Sequence, residues 1–311
     1  MSTDSAARTD TPQTLIRPGT LPLDDRGKPA QLHAAGIQRV GSRWYAWGEE
    51  KSGGGLFTSV AVYTSTDLVN WHFEGDALTA GSGELGPDRV VERPKALQRS
   101  DGRWVLFLHL DTADYGYARV GYALADTPEG PFELVSSERP LGHLSRDIGV
   151  YQEDGVGYLL SEDRDNGTHI YRLRPDYLGV EAEIVTVRQQ DRPELGYESP
   201  TVVKHEGIYY LFGSDLTGWN TNDNKYSVAT ALEGPWTPWR DIAPVGTHTF
   251  DSQVSVVVPL GGDHFLFAAD RWRKADLFNS PLVWLPLTLH DGHAELEWRD
   301  EWSPLDEAAA R

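Results

Sequence analysis

A single pattern of polar and apolar positions recurs five times along the chain. Each copy opens on a polar residue, continues through a mixed or apolar segment to a tight turn, and then enters an aromatic-rich segment. The aromatic-rich segments begin at residues 43, 103, 157, 208 and 264, each after a turn built from Gly, Asp, Ser or Glu. Short segments of this composition, bounded by turn residues, are typical of β-strands. The pattern therefore predicts an all-β protein without long helices.

The polar residue that opens each copy lies 11 or 12 residues before the aromatic that heads the next strand. These five positions are His33, Glu92, Asp147, Glu198 and Gln253, at intervals of 59, 55, 51 and 55 residues. A repeat of this length holds four short strands and cannot bury both of its faces alone, so copies pack side by side around an axis. The sequence therefore predicts a five-bladed β-propeller.

The predicted blades span residues 31–86, 87–141, 142–192, 193–247 and 248–303. In a propeller the first strand of each blade lies innermost, so the five polar residues are expected to converge at one end of the central channel. A ligand site is expected there. Residues 1–30, rich in Ser, Thr, Asp and Pro, predict a flexible lead; residues 31–303 form one predicted domain and residues 304–311 a tail.

Composition narrows the possible partners. The net charge of −19, from 47 acidic and 28 basic side chains, makes nucleic acids and anionic membranes poor partners. The chain has no cysteine, which excludes disulfides and thiolate chemistry. Its mean hydropathy of −0.46 predicts a soluble globular protein rather than one with a membrane-spanning segment. Because the first 30 residues lack a basic start followed by an apolar stretch, a cytoplasmic location is expected, or secretion if a leader was trimmed.

Three of the five polar positions are carboxylates: Glu92, Asp147 and Glu198. Carboxylates converging in a polar pocket are the arrangement that hydrolyses a glycosidic bond, because one acid protonates the leaving oxygen. Like charges in a channel cannot all ionise cheaply, so at least one stays protonated near neutral pH. We expect Glu198 to be that acid, because its side chain is long and Pro200 restricts the backbone just after it. Asp147 would tune its proton affinity and hold a sugar hydroxyl.

Two further residues are candidate substrate contacts. His33 is at most a supporting one, because a lone channel histidine more often binds water or an ion than takes part in chemistry. Trp219, in the loop at 216–222, offers a flat apolar face on which a sugar ring could stack.

Alternatively, the channel carboxylates could be structural and hold waters or a cation. No feature requires a cofactor, although a calcium or sodium ion could occupy the channel.

Several motifs together resemble those of glycoside hydrolase family 43, whose members are inverting enzymes built as five-bladed propellers. The resemblance covers residues 31–303. The motifs are the Ser-x-Asp-Leu-x-x-Trp turn at 65–71, the Val-Glu-Arg-Pro-Lys segment at 91–95, the Glu-Gly-Pro-aromatic turns at 129–132 and 233–236, Ser-Arg-Asp-Ile at 145–148 and Glu-Ser-Pro at 198–200. Within the family the chain is most similar to the exo-β-1,3-galactanase branch, through residues 31–36, 47–51, 214–219 and 251–253.

The resemblance implies that Glu198 is the general acid and that Asp147 modulates it. It implies sugar contacts from Glu92, Glu49, Tyr115, Thr217 and Trp219. The broad family pattern has an aspartate base in the first strand, where this chain reads Gln31-Leu-His-Ala-Ala-Gly36. The galactanase branch resembles this chain in lacking that aspartate. Gln253, or Glu92 through water, is then the group expected to hold the attacking water.

The function expected from these features is the inverting release of galactose from the non-reducing end of a β-1,3-linked galactan or galacto-oligosaccharide. An α-L-arabinofuranosidase or β-xylosidase is a second expectation, because the pocket loops rather than the propeller decide which sugar fits. A sugar-binding propeller without turnover is a third, given the missing aspartate. A carbohydrate is the expected partner in each case.

Overall fold

The computed structural model describes residues 13–309, whose strands form five antiparallel sheets of four strands each. The first sheet contains β1 (His33–Val40), β2 (Arg43–Glu49), β3 (Ser59–Ser65) and β4 (His72–Thr79). The second contains β5 (Arg89–Gln98), β6 (Trp104–Thr112), β7 (Arg119–Ala125) and β8 (Glu133–Glu138). The third contains β9 (Ile148–Glu153), β10 (Val156–Asp163), β11 (Gly167–Leu173) and β12 (Val180–Val187).

The fourth sheet contains β13 (Glu198–His205), β14 (Ile208–Ser214), β15 (Lys225–Ala229) and β16 (Arg240–Asp241). The fifth contains β17 (Gln253–Gly261), β18 (His264–Asp270), β19 (Leu282–His290) and β20 (His293–Leu296). Short helical segments are α1 (His248–Asp251), α2 (Pro304–Ala309) and 3₁₀ turns at Gly83–Leu85, Pro140–Gly142 and Leu277–Asn279. Among residues 13–309, no helix combines the length and apolar composition needed to cross a lipid bilayer.

The sheets are arranged as blades around a central channel. Consecutive strands are neighbours within each sheet, and the first strands contact one another in a closed cycle in the order β1, β5, β9, β13, β17 and back to β1. Each sheet lies within one of the five residue ranges assigned to a blade from the sequence. The structure therefore confirms the predicted five-bladed β-propeller.

The hydrophobic core is divided into five clusters, one at each interface between neighbouring blades. Between blades one and two, for example, Trp47 and Val62 of the first sheet pack with Leu106 and Leu108 of the second. A sheet with apolar side chains on both faces cannot be stable alone, because each face must be covered. The closed ring covers all ten faces and so explains why the repeat is needed.

The segments outside the blades pack against the ring. Residues 1–12 of the expected flexible lead lie outside the described residues. From residue 13 onward the lead contacts the ring, because Ile16 forms a β-bridge with Trp302 and Thr20 forms one with Leu282 of β19. Ile16 and Leu21 join the cluster between blades one and five. The predicted tail begins with α2, which contacts β17 and β18.

The Glu-Gly-Pro-aromatic turns lie between the third and fourth strands of their blades. Residues 127–132 connect β7 to β8, and residues 231–236 connect β15 to β16. The fourth strand after each turn is hard to recognise in the sequence, because β8 is polar and β16 is two residues long. Phe132 is buried in the cluster between blades one and two, consistent with a packing role.

Neighbouring inner strands approach so closely that a side chain cannot fit at some positions. A Cβ atom at Gly149 of β9 would lie 2.1 Å from the carbonyl oxygen of Pro200 in β13. This contact involves backbone, so it cannot be relieved by rotating a side chain. Gly149 therefore sets the spacing between the strands that follow Asp147 and Glu198.

We expect Gly149→Ala to destabilise the protein by roughly 1–3 kcal/mol, because the added methyl group must push two inner strands apart. Chemical denaturation of the purified variants measures this change. Gly81→Ala is the matched control, since a Cβ atom there meets nothing within 4 Å. Equal stabilities of the two variants would contradict the close-approach argument.

Candidate active site

Five blades contribute side chains to one cavity at the end of the channel where the inner strands begin. This hub cavity has a volume of about 350 Å³, within the range of small-molecule sites. Its lining residues are Glu49, Glu92, Arg93, His109, Asp114, Tyr115, Arg146, Asp147, Glu162, Arg164, Glu198, Gly218, Trp219, Gln253 and Trp272. Four of the five polar positions identified by the repeat are therefore brought together, and only His33 is missing.

Strand pairing places a second set of polar residues beside the first. In each blade the polar residue of the first strand pairs with one near the end of the second. The pairs are His33 with Glu49, Glu92 with His109, Asp147 with Glu162, Glu198 with Ser214 and Gln253 with Asp270. Directly opposed residues of an antiparallel pair present their side chains to the same face. The hub is thus built from two rings of polar side chains.

A β-bulge follows the polar residue in three blades and directs its side chain. The strand register shifts just after His33, Glu92 and Glu198. The next residue in each case, Ala34, Arg93 or Ser199, has a positive φ of 46°, 54° or 54°. Bulges next to active sites re-aim side chains in this way. Non-glycine residues rarely adopt this conformation, so the local strain must be offset by contacts elsewhere.

Glu198 begins β13 and is almost completely buried. Its Oε1 accepts a hydrogen bond of 3.0 Å from Gln253 Nε2, and its Oε2 lies 3.3 Å from Arg164 Nη2. Burial raises the pKa of Glu198 well above its usual range, and the negative charges of Asp147 and Glu162 raise it further. Both effects favour the protonated form of Glu198, the form that a general acid requires.

Gln253 is fully engaged in hydrogen bonds within the protein. Its Nε2 donates to Glu198 and, at 2.8 Å, to Ser214 Oγ. Its Oε1 accepts from Arg93 Nη2 at 2.6 Å and from Trp272 Nε1 at 2.9 Å. An amide has two donors and two acceptor positions, and all four are used here. This arrangement suits a residue whose role is to position Glu198, and it leaves no free acceptor with which to activate water.

The buried guanidinium of Arg93 links the carboxylates of different blades. Its Nη2 lies 2.7 Å from Asp147 Oδ2, and its backbone amide donates to Glu49 Oε1 at 2.8 Å. Glu49 in turn lies 2.5 Å from Lys51 Nζ. Although burial lowers the pKa of Lys51, the charges of Glu49 and Glu92 outweigh it and raise that pKa, so the ammonium is retained.

Glu92 has the opposite environment to Glu198. Its carboxylate lies 3.5 Å from His109 Nδ1 and 3.8 Å from Lys51 Nζ, and it accepts a hydrogen bond of 3.1 Å from Tyr115. Burial raises the pKa of Glu92, but His109 and Lys51 outweigh burial and lower it to about 2. For His109, burial lowers the pKa, while the hydrogen bond to Asp111 and the charge of Glu92 raise it to about 9. Glu92 is ionised and His109 is protonated at neutral pH.

Two tryptophans form one wall of the cavity. Trp219 and Trp272 meet edge to face, with ring centroids 5.9 Å apart and an interplanar angle of 88°. Thr217 does not line the cavity; its hydroxyl donates to the carbonyl of Asn220 and accepts from Asn222 Nδ2. Thr217 therefore shapes the loop that presents Trp219, and the sequence-based assignment of Thr217 as a direct sugar contact has no support from its position.

His33 also lies outside the cavity, contrary to the expectation that all five polar residues meet there. It is completely buried beneath Trp272, with ring centroids 5.7 Å apart, and its Nδ1 lies 3.4 Å from Asp270 Oδ1. Glu49, its partner across the strand pair, lines the cavity instead. His33 thus supports the aromatic wall from behind.

Glu92, His109 and Asp147 are close enough to surround a cation, since one polar atom of each lies within 4.8 Å of the others. However, protonated His109 has no lone pair to offer to a metal ion. Arg93 and Lys51 supply further positive charge at the same place. These positive charges compete with a cation for the same carboxylates.

Sequence reasoning missed Glu162, which is completely buried and lines the cavity beside Asp147. Neither oxygen of its carboxylate has a hydrogen-bond partner. Burial raises the pKa of Glu162 to about 7, with a further contribution from Asp147. Glu162, like His109, could have been found by pairing the polar end of each second strand with the polar start of the first. Trp272 and Arg164 lie in loops and carry no comparable signal.

The chain as a whole is similar to several known proteins. The family model described as glycosyl hydrolases family 43 matches residues 28–272. A crystal structure of a proposed exo-β-1,3-galactanase from Bifidobacterium bifidum is 49% identical, with a TM-score of 0.89, over 91% of this chain and 97% of that one. An exo-β-1,3-galactanase from Phanerochaete chrysosporium, solved with β-1,3-galactotriose, is 38% identical with a TM-score of 0.89, over 94% of this chain and 68% of that one.

A more distant similarity is to an arabinoxylan arabinofuranohydrolase from Paenibacillus polymyxa. The two sequences are 25% identical over an alignment of 214 positions, which covers 57% of this chain and 33% of that protein. The chain thus matches only about a third of the length of this relative.

We expect Arg93→Met to destabilise the protein by roughly 3–5 kcal/mol, because it leaves buried carboxylates without their counter-charge. Urea denaturation at pH 7 measures the change. The matched control is Arg172→Met, which removes an exposed ion pair with Glu181 and should cost no more than about 1 kcal/mol. A small effect of Arg93→Met, equal to that of the control, would show that the hub charges do not depend on Arg93.

Proposed function

The chain belongs to glycosyl hydrolase family 43, and we propose that it is an inverting exo-glycosidase that releases galactose from the non-reducing end of β-1,3-linked galactan or galacto-oligosaccharides. The observation that carries this proposal is the opposite proton affinity of two carboxyl groups in one cavity. The surroundings raise the pKa of Glu198 well above its usual range and lower that of Glu92 to about 2. Environments that push two pKa values apart assign the acid and the base of a hydrolytic pair.

In the proposed reaction Glu198 donates its proton to the glycosidic oxygen as the bond to the anomeric carbon breaks. A water molecule attacks that carbon from the opposite face, so the configuration inverts. Gln253 Nε2 donates a hydrogen bond to Glu198 Oε1 and so holds the carboxyl group in place. Asp147 keeps the pKa of Glu198 high and is itself held by Arg93.

We propose Glu92 rather than Gln253 as the group that orients the attacking water. The Gln253 oxygen already accepts two hydrogen bonds, and a neutral amide is a very weak base. Glu92 is ionised and, among cavity side chains, hydrogen-bonds only Tyr115. We also propose that no metal ion takes part, since Arg93, Lys51 and His109 supply the positive charge that the hub carboxylates require.

The preference for galactose is supported by the solved structures that the chain resembles. The exo-β-1,3-galactanase from Phanerochaete chrysosporium is 38% identical over 94% of this chain. Trp219 and Trp272 supply an apolar wall of the kind that stacks on a sugar ring. The buried charged lining, including Glu49 and Glu92, offers acceptors for its hydroxyl groups.

An α-L-arabinofuranosidase is the second candidate, favoured by the similarity to the Paenibacillus polymyxa protein. A panel of β-1,3-galactobiose, nitrophenyl α-L-arabinofuranoside and nitrophenyl β-D-xyloside separates the two activities. Calorimetric binding of galactobiose without any product after prolonged incubation would instead support a sugar-binding propeller.

We expect Glu198→Gln to lower kcat on β-1,3-galactobiose by roughly 10²- to 10⁴-fold, because the amide cannot donate the proton. The matched control is Glu194→Gln, an exposed position four residues earlier, which should retain full activity. NMR of the galactose first released from β-1,3-galactotriose, whose other product is the disaccharide, should show the α anomer. Retained activity in folded Glu198→Gln would reject the acid assignment, and β-galactose as first product would reject inversion.

Glu162→Gln should shift the basic limb of the kcat/KM profile to lower pH by on the order of one unit. Above its pKa of about 7, Glu162 carries a negative charge that opposes ionisation of Glu198; the amide cannot carry that charge. The other charged groups that influence Glu162 are Asp147, Arg146, Arg164 and His109, which the variant leaves in place.

The control for this shift is Asp114→Asn, at a more exposed position of the same cavity. It should leave the basic limb at its original pH, whatever its effect on KM. An unchanged basic limb in Glu162→Gln would show that Glu162 does not act on Glu198.

A further inference from the structure

The third blade carries a second polar cluster away from the hub cavity. His143 precedes β9, His169 lies on β11 and Glu183 lies on β12, and one donor atom of each lies within 4.8 Å of the others. None of them lines the hub cavity. We propose that these three side chains bind a divalent transition-metal ion of the zinc type, with Asp163 holding one histidine in position.

The hydrogen bonds of Thr186 fix the tautomer of His169. The Thr186 hydroxyl donates its single proton to Glu183 Oε1 at 2.7 Å, so toward His169 Nδ1, 2.9 Å away, it must accept. His169 therefore carries its proton on Nδ1 and a lone pair on Nε2. That Nε2 atom is buried and has no hydrogen-bond partner, and the residue is only 2% exposed. A buried lone pair without a partner is costly unless a ligand satisfies it.

Asp163 fixes the tautomer of His143 in the same way. Asp163 Oδ2 lies 3.2 Å from His143 Nδ1 and also accepts from Asn166 Nδ2 at 3.0 Å. Because a carboxylate only accepts, Nδ1 of His143 is the donor and its Nε2 is left with a lone pair. A histidine whose other nitrogen donates to a carboxylate is the usual arrangement of a metal ligand.

The charges of the cluster also favour a cation. The rings of His143 and His169 are tilted by 38° with centroids 4.3 Å apart, so two protonated imidazoles would repel each other. The Glu183 carboxylate, whose Oε2 lies 3.5 Å from His169 Nδ1, adds negative charge to the cluster.

Two imidazole nitrogens and one carboxylate are a ligand set typical of zinc, with the fourth position left for water. The side chains of His143 and Glu183 are 34% and 33% exposed, so an ion can enter from solvent and both side chains can adjust to it. Calcium and magnesium prefer oxygen ligands and suit this set poorly. Zinc is therefore the probe of choice.

Metal binding would tie the segment before β9 to the outer strands of the third blade. That segment runs from His143 to Arg146 and Asp147 of the hub cavity. An ion held by His143 on one side and His169 on the other would restrain it, so the metal-bound protein should unfold at a higher temperature.

The test uses the tag-free full chain, treated with EDTA and dialysed, and zinc as the only ligand. We expect calorimetry to show one zinc ion per chain and thermal unfolding to shift upward with zinc but not with calcium or magnesium. His143→Gln and His169→Gln should each abolish both effects. Asp163→Asn should weaken zinc binding by roughly 10- to 100-fold, the usual cost of losing an outer partner of a ligand.

The matched control is His205→Gln. His205, Glu206 and Asp263 also lie within 4.8 Å of one another, but both acids are exposed and His205 donates to Asp263 at 2.7 Å. This variant should bind zinc as the wild type does. Absence of zinc binding, equal affinity in His143→Gln and His169→Gln, or loss of binding in His205→Gln would each overturn the proposal. Circular dichroism confirms that each variant is folded. If His169→Gln does not fold, His143→Gln still tests the proposal, because His143 is partly exposed.

Discussion

The hub depends on a balance of buried charge between Arg93 and the carboxylates that surround it. Arg93 reaches Asp147 and Gln253 with its guanidinium and Glu49 with its backbone amide, so it joins four of the five blades. Charges removed from water are tolerated only when they are paired and hydrogen-bonded. The bulge gives Arg93 its left-handed backbone conformation. It therefore allows the guanidinium to reach the carboxylate of Asp147 while Glu92 faces the cavity.

The same ring gives two glutamates opposite properties. Glu198 has burial and two nearby acids that oppose its ionisation, whereas Glu92 has a protonated histidine and an ammonium group nearby that favour it. The difference comes from neighbours on second strands and loops, because both glutamates occupy equivalent positions in the repeat. Chemistry in this fold is thus decided less by the repeated residues than by those that differ between blades.

The sequence was sufficient to predict the propeller, because the aromatic-rich second strands pack between blades and recur at nearly constant intervals. It was also sufficient to bring Glu92, Asp147, Glu198 and Gln253 together, since the position of a residue in the repeat fixes its position along the channel. It did not show that His33 points behind the aromatic wall, which depends on the packing of Trp272. Nor did it show the second polar ring. That ring depends on the strand pairing, which brings the polar end of each second strand beside the polar start of the first.

Every residue that lines the hub cavity comes from the first or second strand of a blade or from the loops that adjoin them. The third and fourth strands contribute no side chain to this cavity, and the turns that join them lie outside it. The architecture therefore separates two kinds of evolutionary freedom. Insertions in the turns between the third and fourth strands can alter stability, solubility or association without moving the residues that line the hub cavity. A change in the loops beside that cavity can alter which saccharide binds.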